Sequence, residues 1–117
     1  MSKHKERGLI GEQIAENFLL AKGYSILFKN WRSGKKEIDI IASYSDTIIF
    51  VEVKTRTSFD FGTPEEAVNY KKVANMRFAA EAFLIDNPDV QKLQFDVISI
   101  LLKEGNEYVL THFENAF

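Results

Sequence analysis

The run TIIFVEVKTR, residues 47–56, constrains the fold more than any other part of the sequence. β-Branched and aromatic residues dominate it, which is typical of a β-strand. Successive side chains of a strand point to opposite faces, and apolar residues occupy both faces of this run: Ile48, Ile49, Phe50, Val51 and Val53. The run therefore predicts a central strand with helices covering at least part of each face.

A partner strand is predicted immediately upstream, at EIDIIASY, residues 37–44. Only the polar pair Ser45 and Asp46 separates the two runs, so we expect a hairpin. The break contains no glycine, which leaves the turn type open. If the turn has two residues, Tyr44 pairs with Thr47, and the same register sets Asp39 directly opposite Glu52.

A helix is predicted before this hairpin, over about residues 6–22, with Gly23 as its C-cap. Its apolar face consists of Ile10, Ile14, Phe18 and Ala21, widened by Ala15 and Leu19. Glu12 falls at the edge of this apolar arc rather than in open solvent. Residues 24–32, YSILFKNWR, follow as a strand.

A second helix is predicted after the hairpin, with Thr63 as N-cap, Pro64 at its first position and Glu66 completing a capping box. The pair Asn87–Pro88 ends it. Its core face consists of Val73, Met76, Ala80, Phe83 and Leu84. Strands at residues 93–102 and 108–113 complete the order αβββαββ, a mixed α/β fold with helices packed on a sheet.

Length and composition exclude several classes of protein. The 117 residues are expected to form one domain spanning the whole chain, residues 1–117. The absence of cysteine excludes disulfides, thiolate catalysis and cysteine-ligated zinc. The sequence lacks an apolar run of membrane-helix length and its start, MSKHKERG, lacks a signal-peptide core, so we expect a cytoplasmic protein with no membrane partner. A net charge of −2 does not by itself predict nucleic-acid binding, although local basic clusters could contact phosphates.

An acid and a base interrupt the central strand on one face. Glu52 and Lys54 are two residues apart and point the same way, and Asp39 is expected opposite Glu52. Two carboxylates about 5 Å apart repel by roughly 3 kcal/mol at an effective dielectric near 20. A protonated acid, neutralisation by Lys54, or a divalent cation between the acids would each relieve this repulsion.

The third arrangement has a chemical use. Mg²⁺ held by Asp39 and Glu52 could polarise a phosphodiester and lower the pKa of a bound water. Lys54 could then orient that water or meet the developing negative charge. A partly buried ion-pair network at the edge of a sheet would explain the same three residues, and spacing alone favours neither interpretation.

These residues belong to a set of motifs that spans the chain. In order, the motifs are GxxGE at 8–12, NWR at 30–32, EIDIIA at 37–42, FVEVKTR at 50–56, FG at 61–62, FDV at 95–97 and the terminal NAF. Together they resemble the YraN-like family of small bacterial proteins. Asp39 with Glu52, Val53 and Lys54 is similar to the PD-(D/E)XK signature of restriction-endonuclease-like nucleases. The resemblance implies a restriction-endonuclease-like α/β fold, a mixed central β-sheet flanked by helices, related to archaeal Holliday-junction resolvases.

The resemblance also implies roles for individual residues. Glu12, Asp39, Glu52 and Lys54 match the catalytic positions. Asp39, Glu52 and the backbone carbonyl of Val53 would hold Mg²⁺ or Mn²⁺, with Glu12 as a further candidate ligand. Relatives usually carry glycine where this chain has Lys36, a departure that leaves the four catalytic candidates in place. Related resolvases work as dimers, which leaves a homodimer open.

Other polar residues are assigned weaker roles. Four basic residues are candidates for contacts with nucleic acid, and each could equally be an ordinary surface charge or pair with a nearby acid: Arg32, Arg56, Lys71 and Lys72. Asp96 interrupts a strand and could support the site from a neighbouring position, but a strand-edge acid is the favoured interpretation. His4 and His112 have no ligand spacing around them and are assigned no role.

Two functions follow from these residues and the resemblance. The first is a Mg²⁺-dependent endonuclease that hydrolyses phosphodiester bonds of DNA, with branched or damaged DNA in repair or recombination among the candidate substrates. The second is a non-catalytic nucleic-acid-binding module that retains the nuclease fold. A protein-interaction domain, in which the acidic pocket is only structural, is a third and weaker interpretation.

Overall fold

The computed structural model describes residues 3–57, 64 and 70–117. Its elements are α1 (Lys3–Ala21), β1 (Ser25–Ser33), β2 (Lys36–Tyr44), β3 (Thr47–Thr57), α2 (Tyr70–Asp86), β4 (Lys92–Leu102) and β5 (Tyr108–Phe113). The predicted order of one helix, three strands, one helix and two strands is confirmed. The predicted capping box of Thr63 and Glu66 and the FG motif at 61–62 lie outside the described residues. No helix in the described ranges is long and apolar enough to cross a membrane.

The strands form one five-stranded sheet in the order β1-β2-β3-β4-β5. β3 and β4 are parallel, and the other three neighbouring pairs are antiparallel. Parallel neighbours need a long crossover connection, and α2 lies in the connection between β3 and β4. β3 has a strand on each side, which confirms the prediction that residues 47–56 form a central strand.

The predicted hairpin between β2 and β3 is also confirmed. Tyr44 pairs with Thr47 across a two-residue turn, as the short polar break predicted. Ser45 adopts φ +56°, which supplies the left-handed backbone that two-residue hairpin turns require and glycine usually provides. The backbone pairing continues in the predicted register as far as Ile40 with Val51.

Each face of the sheet carries one helix and one buried cluster, and alternate residues of β3 and β4 point to opposite faces. On the α1 face, Ala15 and Leu19 of the helix pack against six strand residues: Ile40, Ala42, Ile49, Val51, Ile98 and Ile100. On the α2 face, four helix residues pack against Ile38, Ile41 and Phe50 of the strands: Met76, Ala79, Ala80 and Phe83. Coverage of both faces explains why the central strand is apolar on both sides.

The predicted apolar face of α1 is partly wrong. Ile10 is 50 % exposed and Ala21 is also exposed, whereas the buried line consists of Gly11, Ala15 and Leu19. The reason is the close approach of α1 to β3. A Cβ atom built on Gly11 would lie 1.8 Å from Thr55 Oγ1, so only glycine fits at that contact.

The predicted C-cap of α1 is confirmed. Gly23 has φ +93°, the left-handed conformation that glycine adopts without steric cost. Its N–H donates to the carbonyl of Leu20 at 3.0 Å, and the N–H of Tyr24 donates to the carbonyl of Leu19 at 3.0 Å. These two bonds make a Schellman motif, which turns the chain from α1 into β1.

Candidate functional site

The predicted carboxylate pair lies where β2 and β3 separate. Their backbone pairing ends at Ile40 and Val51, one position before Asp39 and Glu52. Beyond that point the side chain of Asp39 replaces the backbone as the partner of β3. The N–H of Val53 donates to Asp39 Oδ2 at 2.8 Å, which fixes the Asp39 carboxylate against β3.

A cavity of about 290 Å³ opens at this separation. The two strands supply its acidic lining, Glu37, Asp39 and Glu52. The opposite wall comes from α2 and consists of Lys72, Asn75 and Met76. Lys35 and Lys36 lie at the β1–β2 end. Residues 72, 75 and 76 share one side of a helix, since residues three or four apart are neighbours there. The structure thus brings Asp39 and Glu52 into one pocket with a third acid and three lysines.

A second cavity, of about 530 Å³, lies at the other end of the sheet, between the β2–β3 turn and the α2–β4 connection. It is larger, but its charged lining residues are acids at the protein surface, Asp46, Asp86 and Asp89. Size alone does not identify a functional site. The smaller cavity is the stronger candidate because it holds partly buried acids and lysines together.

The environment of Asp39 strongly favours its protonated form. Burial, followed by the neighbouring charge of Glu52, raises the pKa of Asp39 from 3.8 to about 8. The N–H of Val53 works in the opposite direction, because it stabilises the carboxylate, while Glu12 and Glu37 add to the rise. In the metal-free protein, therefore, these acids repel one another and one of them holds a proton near neutral pH.

Glu12 extends this cluster from α1, as its place at the edge of the apolar arc suggested. Its side chain is half-buried, and burial raises its pKa above the usual 4.5. A hydrogen bond with Asn30 lowers that pKa, while the charges of Glu37 and Glu52 raise it. Glu12 on α1 thus interacts electrostatically with two acids of the cavity that α2 lines.

The lysine partner of Glu52 differs from the one that the strand pattern suggested. Lys54 lies on β3, beside Ser99 of β4, and is not among the described residues that line the cavity. Lys72 of α2 instead forms an ion pair with Glu52. A signal for this existed in the sequence: Lys72 precedes the core residue Met76 by four positions, which places both on one face of α2.

The other sequence-predicted residues lie around this site. Val53 donates its N–H to Asp39, and the role of its carbonyl remains a prediction. Arg32 is exposed and pairs with Glu37 at 3.1 Å, Arg56 is half-buried near the end of β3, and Lys71 is exposed. Glu37 had no assigned role, although the EID motif contains it. Its contact with Arg32 and its effect on Asp39 make it a fourth acid of the site.

Asp96 and His112 form a separate cluster that the sequence patterns did not predict. Asp96 is completely buried, so its interpretation as a strand-edge acid is wrong. Its carboxylate accepts hydrogen bonds at 2.8 Å from Gln94 Nε2 and from the N–H of Asn115, and His112 Nε2 lies 2.8 Å from its second oxygen. The Lys22 ammonium, 3.3 Å from His112 Nδ1, can only donate, so Nδ1 accepts and Nε2–H donates to Asp96.

This cluster lies on the α1 face of β4, the face opposite Glu52. The bonds of Asp96 come from within the protein, and they hold β5 and the chain's end against β4. The same surroundings affect Tyr24, whose hydroxyl donates to Glu114 Oε1 at 3.3 Å. Burial, followed by the charges of Asp96 and Glu114, raises the pKa of Tyr24 to about 12.

The chemistry of the cavity suits a small, hard cation. Oxygen ligands from Asp39 and Glu52, with Glu12 and Glu37 close enough to shift the pKa of Asp39, are the ligand type that Mg²⁺ and Mn²⁺ prefer. The raised pKa of Asp39 measures how unfavourable the ionised cluster is without a counter-charge. A divalent cation would remove that penalty, so the residues present fit one.

Comparison with known proteins places the chain in a family. Residues 11–100 match the model of "Uncharacterised protein family UPF0102". A UPF0102 protein of Alkaliphilus oremlandii is 51% identical over 117 residues, covering 97% of this chain and 99% of that protein. UPF0102 proteins of Flavobacterium psychrophilum and Syntrophomonas wolfei are 42% and 43% identical, again over nearly the whole of each chain. The resemblance to the YraN-like family is thereby confirmed, and the chain belongs to the UPF0102 family.

Proposed function

We propose that this protein is a divalent-metal-dependent endonuclease that hydrolyses phosphodiester bonds of DNA. The observation that carries the proposal is the cluster at the separation of β2 and β3, where burial and Glu52 raise the pKa of Asp39 to about 8. A structural ion-pair network would match its acids with bases. The Asp39 carboxylate accepts the N–H of Val53, and the charges of three neighbouring acids raise its pKa, as expected of a site that binds a cation.

The proposed roles follow the geometry. Asp39, Glu52 and the Val53 carbonyl would hold Mg²⁺ or Mn²⁺, with Glu12 as a further ligand. The cation would supply Lewis-acid polarisation of the phosphodiester and offset its developing charge. The Val53 N–H keeps the Asp39 carboxylate aimed into the cavity. Lys54 would meet negative charge that develops on the phosphate.

A cleavage assay tests the proposal. The pure protein is incubated with single-stranded, duplex, flap and four-way-junction DNA in Mg²⁺ or Mn²⁺. We expect cleavage of at least one substrate, and a loss of about 100-fold or more in Glu52→Gln and Asp39→Asn, because each removes a charged ligand. The matched control is Glu104→Gln, which changes an exposed acid that does not line the cavity and should retain full activity.

Two results would contradict the proposal: no cleavage of any substrate under these conditions, or cleavage that Glu52→Gln does not diminish. Branched substrates cleaved faster than plain duplex would place the activity in repair or recombination. Equal rates on all substrates would exclude that refinement and leave the nuclease proposal intact.

A second candidate is a non-catalytic nucleic-acid-binding module. It is favoured by the position of Lys54, which is not among the cavity-lining residues described, and by the ion pair that already neutralises Glu52. This candidate predicts salt-dependent DNA binding that persists in Asp39→Asn, because phosphate contacts need no metal. Binding of that kind, with no cleavage by the unmodified protein, would select it over the nuclease.

A further inference from the structure

Lys72 reaches into the cavity from α2 and contacts the acid that would bind a metal. The side chain of Lys72 is 35% exposed, whereas that of Glu52 is 13% exposed. The ammonium therefore lies between solvent and the carboxylate. Lys72 also shares its helix face with Asn75 and Met76, and the buried Met76 fixes that face toward the sheet.

The neighbouring lysine of the cavity is held differently. Lys36 donates to Asn75 Oδ1 at 2.8 Å, which anchors it to α2. Lys72 is one residue from Lys71, an exposed lysine of the same helix. Lys72 therefore pairs with Glu52 because of its position on α2. The adjacent Lys71 is a matched lysine for comparison.

An ammonium and a divalent cation cannot both approach the same carboxylate oxygen closely, because like charges repel most strongly in a partly buried pocket. Small hard cations need those oxygens, and Glu52 is paired with Lys72 through Oε1. Loading the cavity with a metal would therefore require the Lys72 ammonium to move off Glu52.

We propose that Lys72 is a built-in competitor of the metal, occupying Glu52 in the metal-free protein and weakening divalent-cation binding to the cavity. The inference rests on the proposed function in that it assumes the cavity binds a divalent cation. It goes beyond that function because it assigns to Lys72 of α2 an effect on the affinity of the cavity for the metal. Lys72 acts here as a positioning residue, through Glu52.

Mn²⁺ titration in the absence of nucleic acid tests this, with calorimetry and the electron paramagnetic resonance of free Mn²⁺ as readouts. The variants are Lys72→Met, Lys72→Arg and, as matched control, Lys71→Met. We expect Lys72→Met to bind Mn²⁺ about fivefold more tightly than the unmodified protein, since partly exposed ion pairs contribute at about that level. Lys72→Arg keeps the competing charge and should stay within about twofold of the unmodified protein, as should Lys71→Met.

Each outcome decides the proposal. Tighter binding in Lys72→Met alone supports it. Binding in Lys72→Met that equals or falls below that of Lys71→Met overturns the role of Lys72 and leaves the metal site standing. No Mn²⁺ binding by either the unmodified protein or Lys72→Met at millimolar concentrations overturns both the role of Lys72 and the metal-dependent function. If Lys72→Met does not fold, as judged by thermal unfolding, Lys72→Gln replaces it with the same expectation.

Discussion

Replacing Asp39 by asparagine should stabilise the metal-free protein at alkaline pH, against the usual effect of changing a buried residue. The amide oxygen of Asn can still accept the N–H of Val53, so the hydrogen bond at β3 is kept while the charge is removed. What disappears is the repulsion of Asp39 by Glu52, Glu12 and Glu37, together with the cost of burying its charge.

The direction with pH follows from the pKa values. Asp39 has a pKa near 3.8 when unfolded and about 8 when folded. Between these values the folded protein holds a proton that the unfolded chain has released, so stability falls as pH rises through this window. One proton contributes about 1.4 kcal/mol per pH unit, and the window sets a ceiling of about 6 kcal/mol. Water that enters the cavity lowers the cost of burial, which is the largest cause of the shift, so we expect about half of this ceiling, about 3 kcal/mol.

Urea unfolding from about pH 4 to 9 in EDTA, followed by the fluorescence of Trp31, measures the effect. Trp31 packs against Phe83 with ring centroids 5.5 Å apart and so reports on the core of the α2 face. We expect Asp39→Asn to match the unmodified protein near pH 4 and to exceed its free energy of unfolding by about 3 kcal/mol near pH 8.5. Asp89→Asn, at an exposed acid, should give a difference that does not change with pH over this window.

A difference between Asp39→Asn and the unmodified protein that stays constant over this pH range would refute the reasoning, as would an Asp39→Asn variant that is the less stable at alkaline pH. Millimolar Mn²⁺ should reverse the order at alkaline pH, because only the unmodified protein retains both carboxylates as ligands. That reversal links the stability of the protein to the proposed metal site without using catalysis.

Two further predictions concern packing and the second polar cluster. Gly11→Ala should lose about 2 kcal/mol in urea unfolding, because its Cβ would lie 2.9 Å from Thr55 Cβ, whereas Gly8→Ala in the same helix, with no atom within 4 Å, should gain about 0.5–1 kcal/mol. Changes of the same sign in both would contradict the close approach of α1 to β3. Asp96→Ala should lose about 3 kcal/mol by leaving buried donors unpaired, yet leave Mn²⁺ affinity unchanged because Asp96 faces away from the cavity. Weakened Mn²⁺ binding in that variant would show that the two clusters are coupled.

The separation of β2 and β3 explains how one small sheet can hold so many acids. Backbone pairing stops at Ile40 and Val51, and the Asp39 side chain then accepts the hydrogen bond of the Val53 N–H. The charge of Glu12, on α1, also raises the pKa of Asp39. The cost of this arrangement is the raised pKa of Asp39, and the proposed cation would offset that cost.

Several features were predictable because they depend on local chemistry. The hairpin register follows from a two-residue polar break between two apolar runs. It is observed from Tyr44 with Thr47 to Ile40 with Val51, and Asp39 and Glu52 follow directly beyond the last pair. The C-cap at Gly23 follows from the need for a left-handed residue after a helix. Strict alternation along β2 would not have identified Glu37, because Ile38 packs on the α2 face and Ile40 on the α1 face, so the alternation is broken next to Asp39.

The sequence by itself determined the order of the elements, the central strand and the acidic pair, because periodicity and turn chemistry act over a few residues. Only the tertiary structure decided which lysine meets Glu52, why Gly11 rather than Ile10 faces the sheet, and that Asp96 is buried against His112. Those outcomes depend on how helices and strands that are distant in the chain are placed against one another. The physical reason is that the pattern of a strand specifies the face of the sheet on which a side chain lies. The residues that this side chain contacts belong to whichever helix or strand packs on that face. Lys54 was the nearest base in the sequence, and Lys72 became the partner of Glu52 because α2 crosses that face of the sheet.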